Sequence, residues 1–273
     1  MNQIEIAFIG AGNMATNLIG GLLKQGLPAS NLRAADPSLE SRRRLQASTG
    51  IVSSRSNRRI IAGADVVILA VKPQVMAEVC TKIGTAVAKQ QPLVISIAAG
   101  ITLASLEKDL GNSTSLVRCM PNAPALLQAG ATALFANAQA QTWQRSLAEQ
   151  ILGALGTTCW VKQEAELDVV TALSGSGPAY FFLFMEAMCE AGVKLGLDRE
   201  TSRELAIQTG LGACRMAAES DVDLQELWAR VASPGGTTER ALRSFEDNDL
   251  RGIIETAMQS AHDRAREMSR ELD

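Results

Sequence analysis

Apolar residues follow two rhythms over the first 161 positions. Short segments rich in apolar residues fall at residues 4–9, 31–35, 66–71, 93–97, 115–120, 130–136 and 157–161, with a weaker one at 51–52, and each reads as a strand. Between them, apolar residues recur every three or four positions over 13–24, 103–110 and 139–155, as in helices with one buried face. The run Val66-Val67-Ile68-Leu69-Ala70-Val71 has no polar interruption, which a strand covered on both faces requires. Strands and helices in alternation predict an α/β fold with a doubly wound, largely parallel sheet.

The rhythm changes after Val161. Residues 162–166 are polar, and beyond them helical spacing dominates, at 179–188, 199–218, 224–231 and 248–271. This places a domain boundary near residue 162 and predicts a sheet domain over 1–162 followed by an all-helical domain over 163–273. The helix at 179–188 is apolar on nearly all faces, and a domain of roughly 110 residues has little room to bury it alone. Dimerisation through the helical half is therefore expected. The last helix alternates in charge and is expected to present a solvated outer face.

Candidate chemistry begins where the first run ends. Gly10-Ala11-Gly12-Asn13-Met14-Ala15 joins a strand to a helix with the Gly-x-Gly-x-x-Ala spacing of a dinucleotide pyrophosphate site, the turn of a Rossmann-type domain. Its glycines let the backbone approach the ligand, and the helix start supplies free N–H groups and a favourable dipole. Asp36 follows 26 residues after Gly10, where an acidic residue binds the adenosine ribose, or else caps the next helix. Arg42, Arg43 and Arg44 could instead balance a 2′-phosphate, so the choice of nicotinamide cofactor is left open. Lys72 and Pro73 close the loop after the 66–71 run and are cofactor-side candidates.

Farther on, Pro121-Asn122-Ala123-Pro124 is a stiff loop carrying one amide side chain, suited to holding reacting groups in register. Small residues at 172–177 precede Pro178 and the only tyrosine, Tyr180. That tyrosine could donate a proton, although a buried hydroxyl with one hydrogen bond is the simpler expectation. Ser233-Pro234-Gly235-Gly236-Thr237-Thr238 gathers hydroxyls and backbone N–H groups at a helix start, suited to a small carboxylate. Trp143 and Trp160 read as packing residues.

Composition narrows the field. With 26 basic and 29 acidic residues in 273, and 4% aromatic content, neither a polyanion-binding surface nor a base-stacking platform is expected, which argues against nucleic acid. Five scattered cysteines suggest reduced, buried thiols, with no disulfide framework and no metal site. No run reaches about 18 uninterrupted apolar residues, so a cytoplasmic protein without a membrane span is expected. The single histidine, His262, lies in a polar helical stretch, which removes the usual parts of histidine triads and relays.

Five blocks together carry a resemblance: 9–15, Ala70-Val71-Lys72-Pro73-Gln74, Val117-Arg118-Cys119-Met120-Pro121-Asn122-Ala123-Pro124, 172–180 and 231–238. In this order, over essentially the whole chain, they resemble the pyrroline-5-carboxylate reductase family. The resemblance implies NADPH- or NADH-dependent reduction of a small cyclic imino acid, L-Δ1-pyrroline-5-carboxylate, to L-proline. It also implies a homodimer with interlocked helical domains, assembled in some members into a decamer.

By the same resemblance, cofactor contacts fall on Gly10, Gly12, Asn13, Met14, Asp36, Asn57, Val71, Lys72 and Pro73. Substrate contacts fall on Ser233, Gly235, Gly236, Thr237 and Thr238, and Thr238, Asn122 and Tyr180 are the candidate catalytic residues. Ala123 departs from the family's usual threonine, which removes a hydroxyl beside Asn122. Two other readings stay open: a related dehydrogenase acting on another substrate, and a nucleotide-sensing protein without turnover.

Overall fold

The structure is a computed structural model that describes residues 3–272. Its strands are β1 (Ile6–Ile9), β2 (Leu32–Ala35), β3 (Val52–Ser54), β4 (Val66–Leu69), β5 (Leu93–Ser96), β6 (Leu116–Met120), β7 (Gly130–Ala136) and β8 (Gly156–Trp160). They form one sheet in the order β3-β2-β1-β4-β5-β6-β7-β8. The first six are parallel, β7 runs antiparallel to β6 with Ala133 opposite Met120, and β8 is parallel to β7. This is the α/β arrangement expected from the alternating rhythms.

Period-two alternation on the central strands feeds two cores. Ile6 and Phe8 of β1 point into a cluster with Leu18, Ile19 and Leu22 of α1 (Asn13–Lys24) and Ile151 of α6 (Thr142–Leu152). Ala7 and Ile9 point the other way, into a cluster with residues of α3 (Asn57–Ile61), α4 (Met76–Gln90) and α5 (Leu103–Leu110). Every residue of β1 and β4 is buried, so both strands read as continuous apolar runs. Each large side chain buried in this way contributes about 1.5–3 kcal/mol. The helix α2 (Leu39–Thr49) starts at Ser38, whose side chain accepts the Ser41 N–H, and ends at a left-handed Gly50.

The last strand ends at Trp160, but the compact sheet unit continues to Ser176 and regains the chain from Ala261 onward. Thus the break in sequence character near residue 162 and the break in packing at Ser176 are different places. Between them lie α7 (Glu166–Val170) and one π-helical stretch, Thr171–Gly175, held against the sheet. Arg118 of β6 anchors this segment through Glu164 at 2.9 Å and Asp168 at 3.8 Å.

The second unit, residues 177–260, contains α8 (Gly177–Lys194), α9 (Arg199–Ala218), α10 (Leu224–Val231), α11 (Thr237–Asp247) and the first turns of α12 (Leu250–Leu272). The helix α8 packs on α9, where Gly192 makes room for Ser202, and the rings of Phe184 and Phe245 lie 6.2 Å apart. Most of its apolar surface is nonetheless uncovered: Phe181, Phe182 and Leu183 are 62%, 64% and 66% exposed. The helical stretch Glu166–Lys194 is long and apolar enough to cross a membrane by length and composition alone.

Some expectations need correction. The 139–155 helix is shorter, Thr142–Leu152, because Gln141 and Gln144 form a reciprocal capping box and a 3-10 turn follows. Pro73 opens a 3-10 turn before α4 begins at Met76. Trp143 is an exposed side chain bonded to Gln141, not a packing residue, whereas Trp160 does pack against the core. The end of α12 keeps its solvated outer face, with Arg264, Glu267 and Glu271 exposed, but its other side is covered: Ala265 and Ser269 are buried, and Leu272 packs against the second core cluster. All five cysteines are free thiols, and Cys80 and Cys119 are buried as expected, but Cys159 and Cys214 are exposed.

Candidate active site

At the carboxyl end of β1 the chain must turn sharply beside β4. Gly10 has φ +105°, and a Cβ there would stand 2.4 Å from the carbonyl oxygen of Ala70 and 3.3 Å from Val71 Cγ1. No residue with a side chain fits. Gly12 is different: a Cβ would meet nothing within 4 Å, so the fold's own packing does not demand glycine there. The absent side chain leaves backbone open above the turn. Gly12 also caps α1 without any side-chain hydrogen bond, which leaves the helix start free to accept an anion. Asn13 is exposed in this first turn, and Met14 packs partly against the core.

Asp36 lies at the carboxyl end of β2 and is bonded to the same turn. Its Oδ2 accepts the Ala11 N–H at 2.9 Å, while Oδ1 accepts the Ser38 N–H at 2.8 Å. Ser38, not Asp36, caps α2. The Asp36 N–H in turn donates to the Ser54 carbonyl, bringing the end of β3 alongside. Asn57 opens α3 just beyond, behind a Ser56 cap. The glycine turn, Asp36 and the Val71-Lys72-Pro73 loop therefore converge at one edge of the sheet, where doubly wound folds bind ligands. Arg42 Nε is enclosed without a hydrogen-bond partner among the described residues.

The Asn122 amide is engaged at both ends. Its Nδ2 donates to the Ser174 carbonyl at 3.0 Å, and its Oδ1 accepts the Ala131 N–H at 2.9 Å. Asn122 thereby ties the loop after β6 to β7 and to the π-helical stretch, a bridge that the sequence pattern does not reveal. Gly175 is the tightest point there, since a Cβ would stand 2.7 Å from the end of Met120.

In the helical unit, Tyr180 departs from expectation. Its hydroxyl is enclosed and has no hydrogen-bond partner among the described residues. The Ser233–Thr238 segment forms a tight turn into α11. Gly235 is left-handed at φ +71°, the Gly236 N–H donates to the Ser233 carbonyl at 2.9 Å, and Gly236 caps the helix with no side-chain bond. The first N–H groups of α11 are thus free of side-chain caps, as an anion site requires. The expectation that Gly235 would offer its N–H needs revision, because that group donates to Glu239. Glu239 lies outside the Ser233–Thr238 motif, and only its position three residues after the Gly236 cap points to it. His262 faces Asp263 at 3.3 Å on α12.

Comparison with known proteins agrees with this arrangement. Residues 5–100 match the family described as NADP oxidoreductase coenzyme F420-dependent, and residues 164–268 match pyrroline-5-carboxylate reductase dimerisation. A pyrroline-5-carboxylate reductase of Pseudomonas aeruginosa is 51% identical over 272 residues, covering 100% of this chain and 99% of that relative. The solved pyrroline-5-carboxylate reductase of Coxiella burnetii is 42% identical with a TM-score of 0.95, covering 98% of this chain and 99% of that one. The Plasmodium falciparum enzyme, solved with NADP bound, is 31% identical with a TM-score of 0.86 at 98% and 99% coverage. Likeness of this degree over the full length places the chain in the pyrroline-5-carboxylate reductase family.

Proposed function

We propose that this protein reduces L-Δ1-pyrroline-5-carboxylate to L-proline, the last step of proline synthesis, with NADPH or NADH. The observation that carries the reading is its full-length identity with reductases of this name. Two open helix starts, at Gly12 and Gly236, match the two anionic groups the reaction must hold, a pyrophosphate and a carboxylate.

When bound, the reduced nicotinamide supplies a hydride to the electrophilic carbon of the substrate's C=N bond. The chain's own work is to bind and orient. Gly10, Gly12, Asn13 and Met14 would hold the pyrophosphate at the start of α1, with Asp36 and Asn57 on the adenosine side and Val71-Lys72-Pro73 bordering the dinucleotide. Ser233, Gly235, Gly236, Thr237 and Thr238 would form the carboxylate turn. The hydroxyls of Ser233, Thr237 and Thr238 make no hydrogen bond to the described residues and are available to a ligand.

A protonated imine accepts electrons more readily than a neutral one, so a hydroxyl donor near the ring nitrogen assists without a histidine. Thr238 takes this role first, with the unsatisfied hydroxyl of Tyr180 second. Asn122 acts by holding the Ser174 carbonyl and the Ala131 N–H in place.

Functionally we divide the chain near residue 162, into a Rossmann-type dinucleotide domain and a helical domain for dimerisation and substrate. A second copy would cover Phe181, Phe182 and Leu183, and decamer formation would build on that dimer; light scattering reads the mass. Free cysteines suit a reducing, cytoplasmic setting.

The test is steady-state oxidation of NADPH and of NADH with pyrroline-5-carboxylate, for the wild type and Thr238→Ala. Turnover in the wild type and a kcat/KM reduced at least about tenfold in the variant are expected. An unchanged kcat/KM would remove Thr238 from the site, and no turnover with either cofactor would overturn the activity.

A further inference from the structure

The start of α11 is held by a side chain outside the recognised motif. Glu239 is the third helical residue after the Gly236 cap, the position from which a capping-box glutamate reaches back to the cap's N–H. Here it reaches one residue farther. Its Oε2 accepts the N–H of Gly235, and its Oε1 lies 3.7 Å from Nη2 of Arg243, one turn along the helix.

Gly235 is left-handed at φ +71°, and a Cβ on Gly236 would stand 2.9 Å from the Ser233 carbonyl oxygen. The turn is therefore closed from two sides: Glu239 takes the Gly235 N–H and Ser233 takes the Gly236 N–H. The donors that remain are the N–H groups of Thr237, Thr238 and Glu239, together with the free hydroxyls. A carboxylate of the chain thus sits beside the place assigned to a substrate carboxylate, and it is spent on holding the turn.

We propose that Glu239 is a positioning residue of the carboxylate site: its side chain fixes the Gly235-Gly236 turn so that the first-turn N–H groups of α11, led by Thr237 and Thr238, are left as free donors. This rests on the reading of the Ser233–Thr238 turn given above. The residue touches neither substrate nor cofactor; it acts through the backbone it restrains. Losing it lets Gly235 sample other conformations, and the substrate must then pay the entropy of reordering the turn.

The test uses the full-length enzyme with Glu239→Ala and Glu239→Gln, varying pyrroline-5-carboxylate at saturating cofactor. Cofactor Kd is measured separately by fluorescence titration, and L-proline Kd by calorimetry. Glu239→Ala is expected to raise the imine KM and the proline Kd about tenfold, the worth of one hydrogen bond to a charged group, with kcat and cofactor Kd nearly unchanged. Glu239→Gln keeps an acceptor oxygen and should stay within about threefold of wild type.

Should the alanine variant fail to fold, Glu239→Asp, one methylene shorter, carries the same expectation. An unchanged KM in the alanine or aspartate variant overturns the proposal. So does a lowered KM, which would mean that Glu239 competes with the substrate, and so does an equal loss of cofactor affinity. Thr238→Ala separates the two levels: if it raises KM while Glu239→Ala does not, only this proposal fails, and if it too is silent, the assignment of the turn itself fails.

Discussion

The Asp36 carboxylate accepts the backbone N–H of Ala11 at 2.9 Å, so the acidic residue at the end of β2 is bonded to the glycine turn itself. Its other oxygen takes the Ser38 N–H, which fixes a negative charge at the edge where the adenosine ribose is proposed to lie. A ribose hydroxyl can donate to such a carboxylate, whereas a 2′-phosphate is repelled by it. Arg42, Arg43 and Arg44 follow on α2, and a guanidinium turned to that edge would work in the opposite direction. Replacing Asp36 with alanine should therefore raise the Kd for NADH about tenfold while leaving that for NADPH unchanged or lower. Fluorescence titration with each nucleotide measures the ratio, and equal changes for both would show that Asp36 only braces the turn.

The two glycines of that turn should respond differently to the same substitution. Gly10→Ala forces a Cβ to within 2.4 Å of a backbone oxygen at φ +105°, a strain expected to cost several kcal/mol and to compromise folding. Gly12→Ala meets no neighbour within 4 Å, so its stability should stay within about 1 kcal/mol of wild type. Its methyl group would nevertheless stand where a pyrophosphate must approach the backbone. Thermal unfolding without nucleotide, compared with nucleotide Kd, separates the cases: Gly12→Ala should be stable and binding-deficient. Normal cofactor affinity in Gly12→Ala would contradict the placement of the pyrophosphate.

This contrast also marks what could be read from the chain alone. The strands were legible because β1, β4 and β5 are buried on both faces and carry almost nothing polar. The starts of α1, α5 and α9 were legible from their local spacing and flanking residues. The clustering of Gly10, Asp36 and Lys72 follows from parallel strands that all end at one edge.

What stayed hidden depends on partners distant in sequence or on the choice among local acceptors. Nothing near Asn122 announces Ser174, 52 residues away, and nothing near Tyr180 tells that its hydroxyl lacks a partner among the described residues. Glu239 is a local case, but its reach to Gly235 depends on the left-handed turn actually formed. The antiparallel β7 was invisible because hydrophobic rhythm carries no strand direction.

Buried thiols give the protein an alkaline weakness. Burial pushes the Cys80 thiol up to about 12 from an ordinary value of 9.0, with the charge of Asp109 adding to the effect. Burial raises Cys119 strongly as well, against a smaller opposing effect of Arg118. Below about pH 9 both states keep these protons and the thiols add no pH dependence. Above it the unfolded chain ionises while the folded chain does not, so stability falls by about 1.4 kcal/mol per pH unit for each thiol until the folded group also titrates. Cys80→Ala should remove one such slope between roughly pH 9 and 11, although it is less stable at neutral pH through lost packing. Denaturant unfolding of both proteins across that range provides the comparison, and parallel pH curves would rule out Cys80 as a source.

The Arg118 side chain, 7% exposed, joins three separate pieces of chain. Its Nη1 bonds Glu164 Oε1 at 2.9 Å, its Nη2 lies 3.8 Å from Asp168, and Glu164 Oε1 also accepts the Leu103 N–H at 2.7 Å. Removing the guanidinium leaves two carboxylates without their shared cation beside an apolar strand, a situation that costs about 3–5 kcal/mol when fully enclosed. Glu164 is 26% exposed, so the lower part of that range is expected. Arg118→Met should thus lower Tm by about 5–10 °C. Glu164→Gln should cost less, because its amide oxygen can still accept from both Arg118 and Leu103. Adding Glu164→Gln and Asp168→Asn to Arg118→Met should restore part of the loss by removing the unpaired charges. If the triple variant is no more stable than Arg118→Met alone, charge imbalance is not what Arg118 relieves, and its contribution lies in the packing of its alkyl stem between β6 and the segment that follows the sheet.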